Sequence, residues 1–145
     1  MTILIRNLAT STLAVFAVLL FADYAVAKTD TQVAAAQLEQ ILVNKSPWAG
    51  EWSFVRRRVK TGDIKLQFEK RGGKLTVRLW RRTTKKFGSP LKVQIQDGAI
   101  KFKIFKGRVA ATLRLEDNSL SGKFVGAWKS TAQSTERDVD LTPER

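Results

Sequence analysis

Trp48-Ala49-Gly50-Glu51-Trp52 is the stretch whose reading decides the fold. Side chains of an extended chain alternate between two faces. Trp48, Gly50, Trp52 and Phe54 therefore share one side, with Ala49 and Glu51 on the other. Large–small–large spacing of this kind suits a first barrel strand that seats two indoles over a glycine, where the opposite wall comes close. Near the other end, Gly122-Lys123-Phe124-Val125-Gly126-Ala127-Trp128 repeats the spacing. The two stretches are expected to be near-neighbours in a closed or nearly closed sheet.

Between them the period stays at two. Thr61-Gly62-Asp63 reads as a turn, and Ile64, Leu66 and Phe68 then alternate with polar residues. Gly72-Gly73 turns the chain again, and Leu75, Val77 and Leu79 follow. A longer loop over Thr83–Pro90 leads to Leu91, Val93 and Ile95. Asp97-Gly98 is a strong two-residue hairpin signal. Ile100, Phe102 and Ile104, a turn at Gly107, and Val109, Ala111, Leu113 and Leu115 come next. After Asp117-Asn118, the last two strands run over Leu120–Trp128 and Arg137–Leu141, with Val139 and Leu141 inward. Eight short strands joined mostly by hairpins predict an all-β fold, an eight-stranded antiparallel up-and-down barrel in which first and last strands pair. The expected barrel core includes Trp48, Gly50, Trp52, Phe54, Phe68, Phe102, Phe124 and Trp128. The outward faces are polar, unlike those of a lipid-facing barrel.

Ahead of the barrel, Asp30 can cap a helix opening at Thr31. Val33, Ala34, Leu38, Ile41 and Leu42 fall on one side of it, and Pro47 blocks its continuation. One short amphipathic helix is predicted, covering an end of the barrel. Further upstream, Arg6, the apolar run Leu13–Ala22 and the Ala25-Val26-Ala27 site have the form of an export signal cleaved after Ala27. The expected organisation is a signal peptide over 1–27, a helix and linker over 28–46, and a barrel over 47–145. An exported, periplasmic or secreted location follows from the same signal. Cysteine is absent, so stability there owes nothing to disulfides.

The Gly50-x-Trp52 first strand, the helix before it and the eight-strand meander resemble the calycin-type barrels, meaning lipocalins and avidin-like proteins. The closing Leu120-Ser121-Gly122 and Arg137-Asp138-Val139-Asp140-Leu141 segments are similar to those of small exported bacterial barrels. The resemblance implies the barrel fold over Pro47–Leu141. Its members include carriers of small ligands, biotin binders and metalloprotease inhibitors that act through an N-terminal arm. The chain lacks the paired cysteines common in the inhibitor group, and no biotin-contacting set is matched.

The charge is lopsided in kind and in place. Lys and Arg number 26 against 13 Asp and Glu, a formal +13, a balance that favours anionic partners. In a meander every second turn lies at the same end. One end then collects Arg56, Arg57, Arg58, Lys60, Arg81, Arg82, Lys85, Lys86, Lys106, Arg108, Lys129 and Arg137 against only Asp63, Glu136 and Asp138. At the other end, where the helix enters, Lys45, Lys70, Arg71, Lys74 and Arg145 balance Glu69, Asp97, Glu116, Asp117 and Glu144. Arg56 and Arg81 share register with inward residues, so the two guanidiniums are candidates for a clamp on a carboxylate, phosphate or sulfate. The competing role is an outward, solvated one. Trp80 stands in the outward row with Arg78 and Arg82. It suits a sugar ring, a base or a membrane interface, or packs under a neighbouring loop. Lys85-Lys86-Phe87-Gly88 would join it as a mobile basic–aromatic tip.

The chain has no His and no Cys, which removes thiolate nucleophiles, Ser-His triads and His or Cys metal sites. No phosphate-binding loop or dinucleotide fingerprint occurs. No cofactor is expected, and a non-enzymatic role is. The leading expectation is an exported protein whose basic mouth engages an anionic envelope component: glycolipid, phospholipid or acidic polysaccharide, with possible peripheral membrane contact. The candidate binding residues are Arg56, Arg58, Arg81, Arg82, Lys85, Lys86, Trp80 and Phe87. A carrier of an apolar small molecule inside the barrel and a protein–protein module such as a protease inhibitor are the alternatives. Specific nucleic-acid binding fits the charge but not the export signal.

Overall fold

A computed structural model of the chain describes residues 34–54, 60–129 and 133–145. The export segment with its Ala25-Val26-Ala27 site, the Asp30 cap and Arg56, Arg57 and Arg58 lie outside the described residues. The strands are β1 (Trp48–Phe54), β2 (Lys60–Arg71), β3 (Lys74–Arg81), β4 (Lys86–Phe87), β5 (Leu91–Lys92), β6 (Gln94–Gln96), β7 (Ala99–Ile104), β8 (Val109–Glu116), β9 (Ser119–Gly126) and β10 (Thr135–Pro143). A helix, α1, spans residues 34–44.

The sheet closes. β1 pairs antiparallel with both β2 and β10, and β7, β8, β9 and β10 pair in sequence. The stretch 91–96 completes the circle by changing partners midway. Its first half, β5, pairs with β3 through Thr76↔Lys92 and Val77↔Leu91. Its second half, β6, pairs with β7 through Gln94↔Lys101 and Ile95↔Ile100. Val93, in the break, is buried and donates its N–H to the Leu75 carbonyl at 3.3 Å. With β5 and β6 counted as one interrupted strand and β4 as a spur, this is the eight-stranded antiparallel barrel that the alternation predicts.

Strict alternation places the apolar set inside. Ile64, Leu66 and Phe68 of β2, Ile100, Phe102 and Ile104 of β7, and Val139 and Leu141 of β10 are all buried. Each such side chain stabilises the fold by about 1.5–3 kcal/mol on burial. Phe68, Phe102 and Phe124 meet edge to face, with ring centres 6.5 and 6.2 Å apart, and fill the middle of the barrel. Trp48 is fully buried, and its indole N–H donates to the Leu42 carbonyl at 3.0 Å. That bond satisfies the one polar atom of the side chain.

The same contact locates α1. Leu42 is fully buried in the core, and Leu38, Ile41 and Val43 pack against it. The Ser46 hydroxyl donates to the Leu42 carbonyl and accepts the Phe68 N–H, both at 2.8 Å. The helix thus covers the end bearing Trp48 and the Gly72-Gly73, Asp97-Gly98 and Asp117-Asn118 turns. Gly72, Gly73, Asp97, Gly98 and Asp117 all have positive φ, as tight hairpins demand.

Gly50 and Gly122 are required by closeness, though not to an opposite wall. A Cβ on Gly50 would stand 1.9 Å from the Asp140 carbonyl oxygen, and one on Gly122 would stand 2.1 Å from that of Thr112. In both cases the obstacle is the backbone of an adjoining strand, drawn in by the tight coiling of a small barrel. β1 and β9 flank β10 from its two sides, with Gly50 opposite Leu141 and Gly122 opposite Val139.

Three expectations are corrected. Thr61-Gly62-Asp63 is no turn. It lies inside β2, with Gly62 opposite Trp52 and Asp63 opposite Glu51. A Cβ on Gly62 would approach Trp52 Nε1 to 2.7 Å, so this glycine serves the indole above it, and Asp63 stands on the wall instead of the rim. Thr83–Pro90 is no open loop. β4 folds back on β3 with Trp80 opposite Phe87 and Arg81 opposite Lys86, and the Gly88 N–H donates to the Leu79 carbonyl at 2.9 Å. The basic–aromatic tip is thus built into a paired hairpin. Finally, β9 ends at Gly126, and Trp128 folds inward beyond it.

Candidate functional site

The far end, away from α1, carries the 82–85 and 105–108 turns and the segment after β9. Phe105, Lys106 and Gly107 all take positive φ, and the Arg108 N–H closes the turn on the Phe105 carbonyl at 3.3 Å. The left-handed backbone thereby projects Phe105, which is 37 % exposed, at the rim.

Between this turn and the β3–β4 hairpin lies an open cleft of about 760 Å³. Leu79, Leu91 and Ile104, all from the inward rows, form its floor together with Phe105. Arg81, Arg82, Lys106 and Arg108 line it, and no carboxylate does. None of these four cations has a carboxylate partner among the described residues; the ion pairs there belong to Lys65, Lys70, Arg71, Arg78 and Lys123. Four cations without a described carboxylate partner, over a low-dielectric floor, concentrate positive potential at one mouth.

Of the predicted binding residues, Arg81, Arg82 and Trp80 meet in this cleft. Phe87 supports Trp80 edge to face at 5.0 Å, while Lys85 and Lys86 are exposed on the hairpin outside the lining. Arg56 and Arg58 lie outside the described residues, so the Arg56–Arg81 clamp has one described member. Arg81 is exposed and lies over Gly88, with Nε 3.0 Å from where a Cβ would stand. Trp80 is 36 % exposed, with Lys65 Nζ 5.5 Å from its ring centre. It also borders a second groove of about 480 Å³ on the outer wall, lined by Glu51, Asp63, Lys65 and Arg82 among others. Lys106, Arg108 and Phe105 also line the cleft, outside the predicted binding set; in the sequence the first two are legible only as part of the general rim charge.

A further arginine points into the barrel. Arg137 follows the inward rhythm of β10 and is 9 % exposed. Its guanidinium lies 3.5 Å from the Trp128 ring centre, 3.8 Å from that of Trp52 and 4.9 Å from that of Phe54. The two indoles stack on each other at 5.1 Å. Burial lowers the Arg137 pKa from its ordinary value to about 10, which still leaves the group charged at neutral pH. Outside the barrel, Lys123 is hydrogen-bonded to Glu136, which raises its pKa.

No protein family, curated protein or solved structure matches the chain.

Proposed function

We propose that the protein is an exported binding protein that holds an anionic amphiphile, a phospholipid or glycolipid, in the cleft at the open end of its barrel. The single observation that carries this reading is the composition of the cleft: Arg81, Arg82, Lys106 and Arg108 above Leu79, Leu91, Ile104 and Phe105, with no carboxylate among them. An anionic headgroup would meet the four cations, and the start of an acyl chain would cover the apolar floor. An acidic polysaccharide would leave that floor wet, so a lipid is the better fit. Phe68, Phe102 and Phe124 occupy the barrel's middle, which favours a ligand held at the mouth over one carried deep inside. The packing of α1 on the barrel argues against a projecting arm of the inhibitor kind.

The test is binding of the purified protein to vesicles of phosphatidylglycerol and of phosphatidylcholine. Contacts at exposed cations weaken as the Debye length falls from about 10 Å in 0.1 M salt to about 3 Å in 1 M. Binding to the anionic vesicles alone, lost at high salt and lost when Arg81, Arg82, Lys106 and Arg108 are changed to Gln, is the expected result. Equal binding by that variant would refute the reading.

A further inference from the structure

Arg137 has a place in the fold but, among the described residues, no partner for its charge. Among the described residues its side chain makes no hydrogen bond and no ion pair, and its Nε is buried. Two more polar atoms in the same corner are buried without partners among the described residues. Trp128 Nε1 belongs to the ring against which Arg137 lies. Thr135 Oγ1 belongs to the residue two before Arg137, on the same side of β10. Buried polar groups are almost always satisfied, so each exception calls for a cause. Here three exceptions gather, and all three groups can donate.

The aromatic rings offset part of the cost of burying a cation, through attraction to their faces. An aromatic face attracts the cation but carries no net charge to neutralise it. The N–H bonds of the guanidinium call for acceptors, and the buried Nε has none. Ordered water could occupy the donors but would not neutralise the charge. A planar carboxylate does both, since its two oxygens match the guanidinium fork.

We propose that Arg137, with Trp128 Nε1 and Thr135 Oγ1, forms a subsite for the carboxylate group of a small organic acid. The subsite is separate from the basic cleft, whose lining includes none of the three. Phe105 stands between the two: it lines the cleft and packs on Trp128 at 5.1 Å. The subsite does not depend on lipid binding at the rim.

The test uses the purified full-length protein, with acetate and butyrate as probes and chloride at matched ionic strength as the control. Two readouts serve: tryptophan fluorescence, because Trp52 and Trp128 both touch Arg137, and the Nε–Hε resonance of Arg137 by NMR. Saturable changes with the carboxylates and none with chloride are expected. Arg137→Gln should weaken the response about tenfold or more, as befits loss of a charge-assisted pair. Trp128→Phe keeps the ring, removes the donor, and should weaken the NMR response severalfold. Arg81→Gln/Arg82→Gln, which disables the cleft, should leave both responses intact, so failure of the lipid reading remains distinguishable. A response to chloride equal to that to acetate, or no saturable shift of the Arg137 resonance in the wild type, would overturn the proposal.

Discussion

A Cβ added to Gly62 would stand 2.7 Å from Trp52 Nε1, because the two residues face each other across β1 and β2. The indole leans over the space that glycine leaves, and is held there by Phe54 edge to face at 5.8 Å and by the stacked ring of Trp128. Gly62→Ala should displace the indole, cost about 1–3 kcal/mol as overpacking does, and shift the tryptophan emission. Urea unfolding followed by fluorescence checks both. An unchanged midpoint with an unchanged spectrum would show that the indole has room to spare.

Gly50→Ala should be worse. The obstacle is the Asp140 carbonyl, 1.9 Å from the added atom, and a strand backbone cannot rotate away as a side chain can. We expect a loss of at least about 3 kcal/mol, at or beyond the upper end of ordinary overpacking, because the substitution pries β1 from β10 where the barrel closes. A variant within about 0.5 kcal/mol of wild type, the range of ordinary surface substitutions, would mean that the seam is looser than described.

Leu42→Ala tests the helix at the other end. Leu42 is fully buried, and its carbonyl accepts both the Trp48 indole and the Ser46 hydroxyl. Loss of the side chain should cost about 2–5 kcal/mol, the range for buried leucines. The backbone carbonyl stays, so Trp48 should remain sequestered. A cost under about 1 kcal/mol, well below that range, would mean that α1 rests on the barrel without stabilising it.

Arg137 gives a pH dependence with a definite sign. Its folded pKa, about 10, lies below its ordinary value, so the unfolded chain binds the proton more tightly. The cost of burying the charged form is fully present below pH 10. It is relieved as pH rises from there toward the ordinary arginine value. Relative to Arg137→Met, which removes this titration, the wild type should gain stability between pH 9 and pH 11. Paired urea midpoints at the two pH values measure the change. A difference that stays constant, or moves against the wild type, would contradict a desolvated guanidinium.

The barrel was legible because its signals are local and repeated. Period-two alternation sorts Ile64, Leu66 and Phe68 from Lys65 and Gln67, and Gly72-Gly73 and Asp97-Gly98 mark hairpins by backbone need alone. Gly62 has the composition of a turn, a glycine beside an aspartate, while its real cause is an indole ten residues away in sequence. The switch of partners at Val93 has no signature, since it arises where the sheet closes on itself. Arg137 was legible in one sense: it continues the row of Val139 and Leu141. Counting it among the rim charges hid that register. The cleft itself depends on where Phe105 and the β3–β4 hairpin come to rest, which alternation does not reveal.

The most direct measurement is a map of ligand contact by NMR, with short-chain phosphatidylglycerol added below its micelle concentration to the isotope-labelled protein. The account predicts saturable backbone shifts at Arg81, Arg82 and Thr83 and from Phe105 to Arg108, the two sides of the cleft. The Gly72-Gly73, Asp97-Gly98 and Asp117-Asn118 turns, at the end covered by α1, should stay still. Shifts centred on those turns, or spread evenly over the barrel wall, would contradict it.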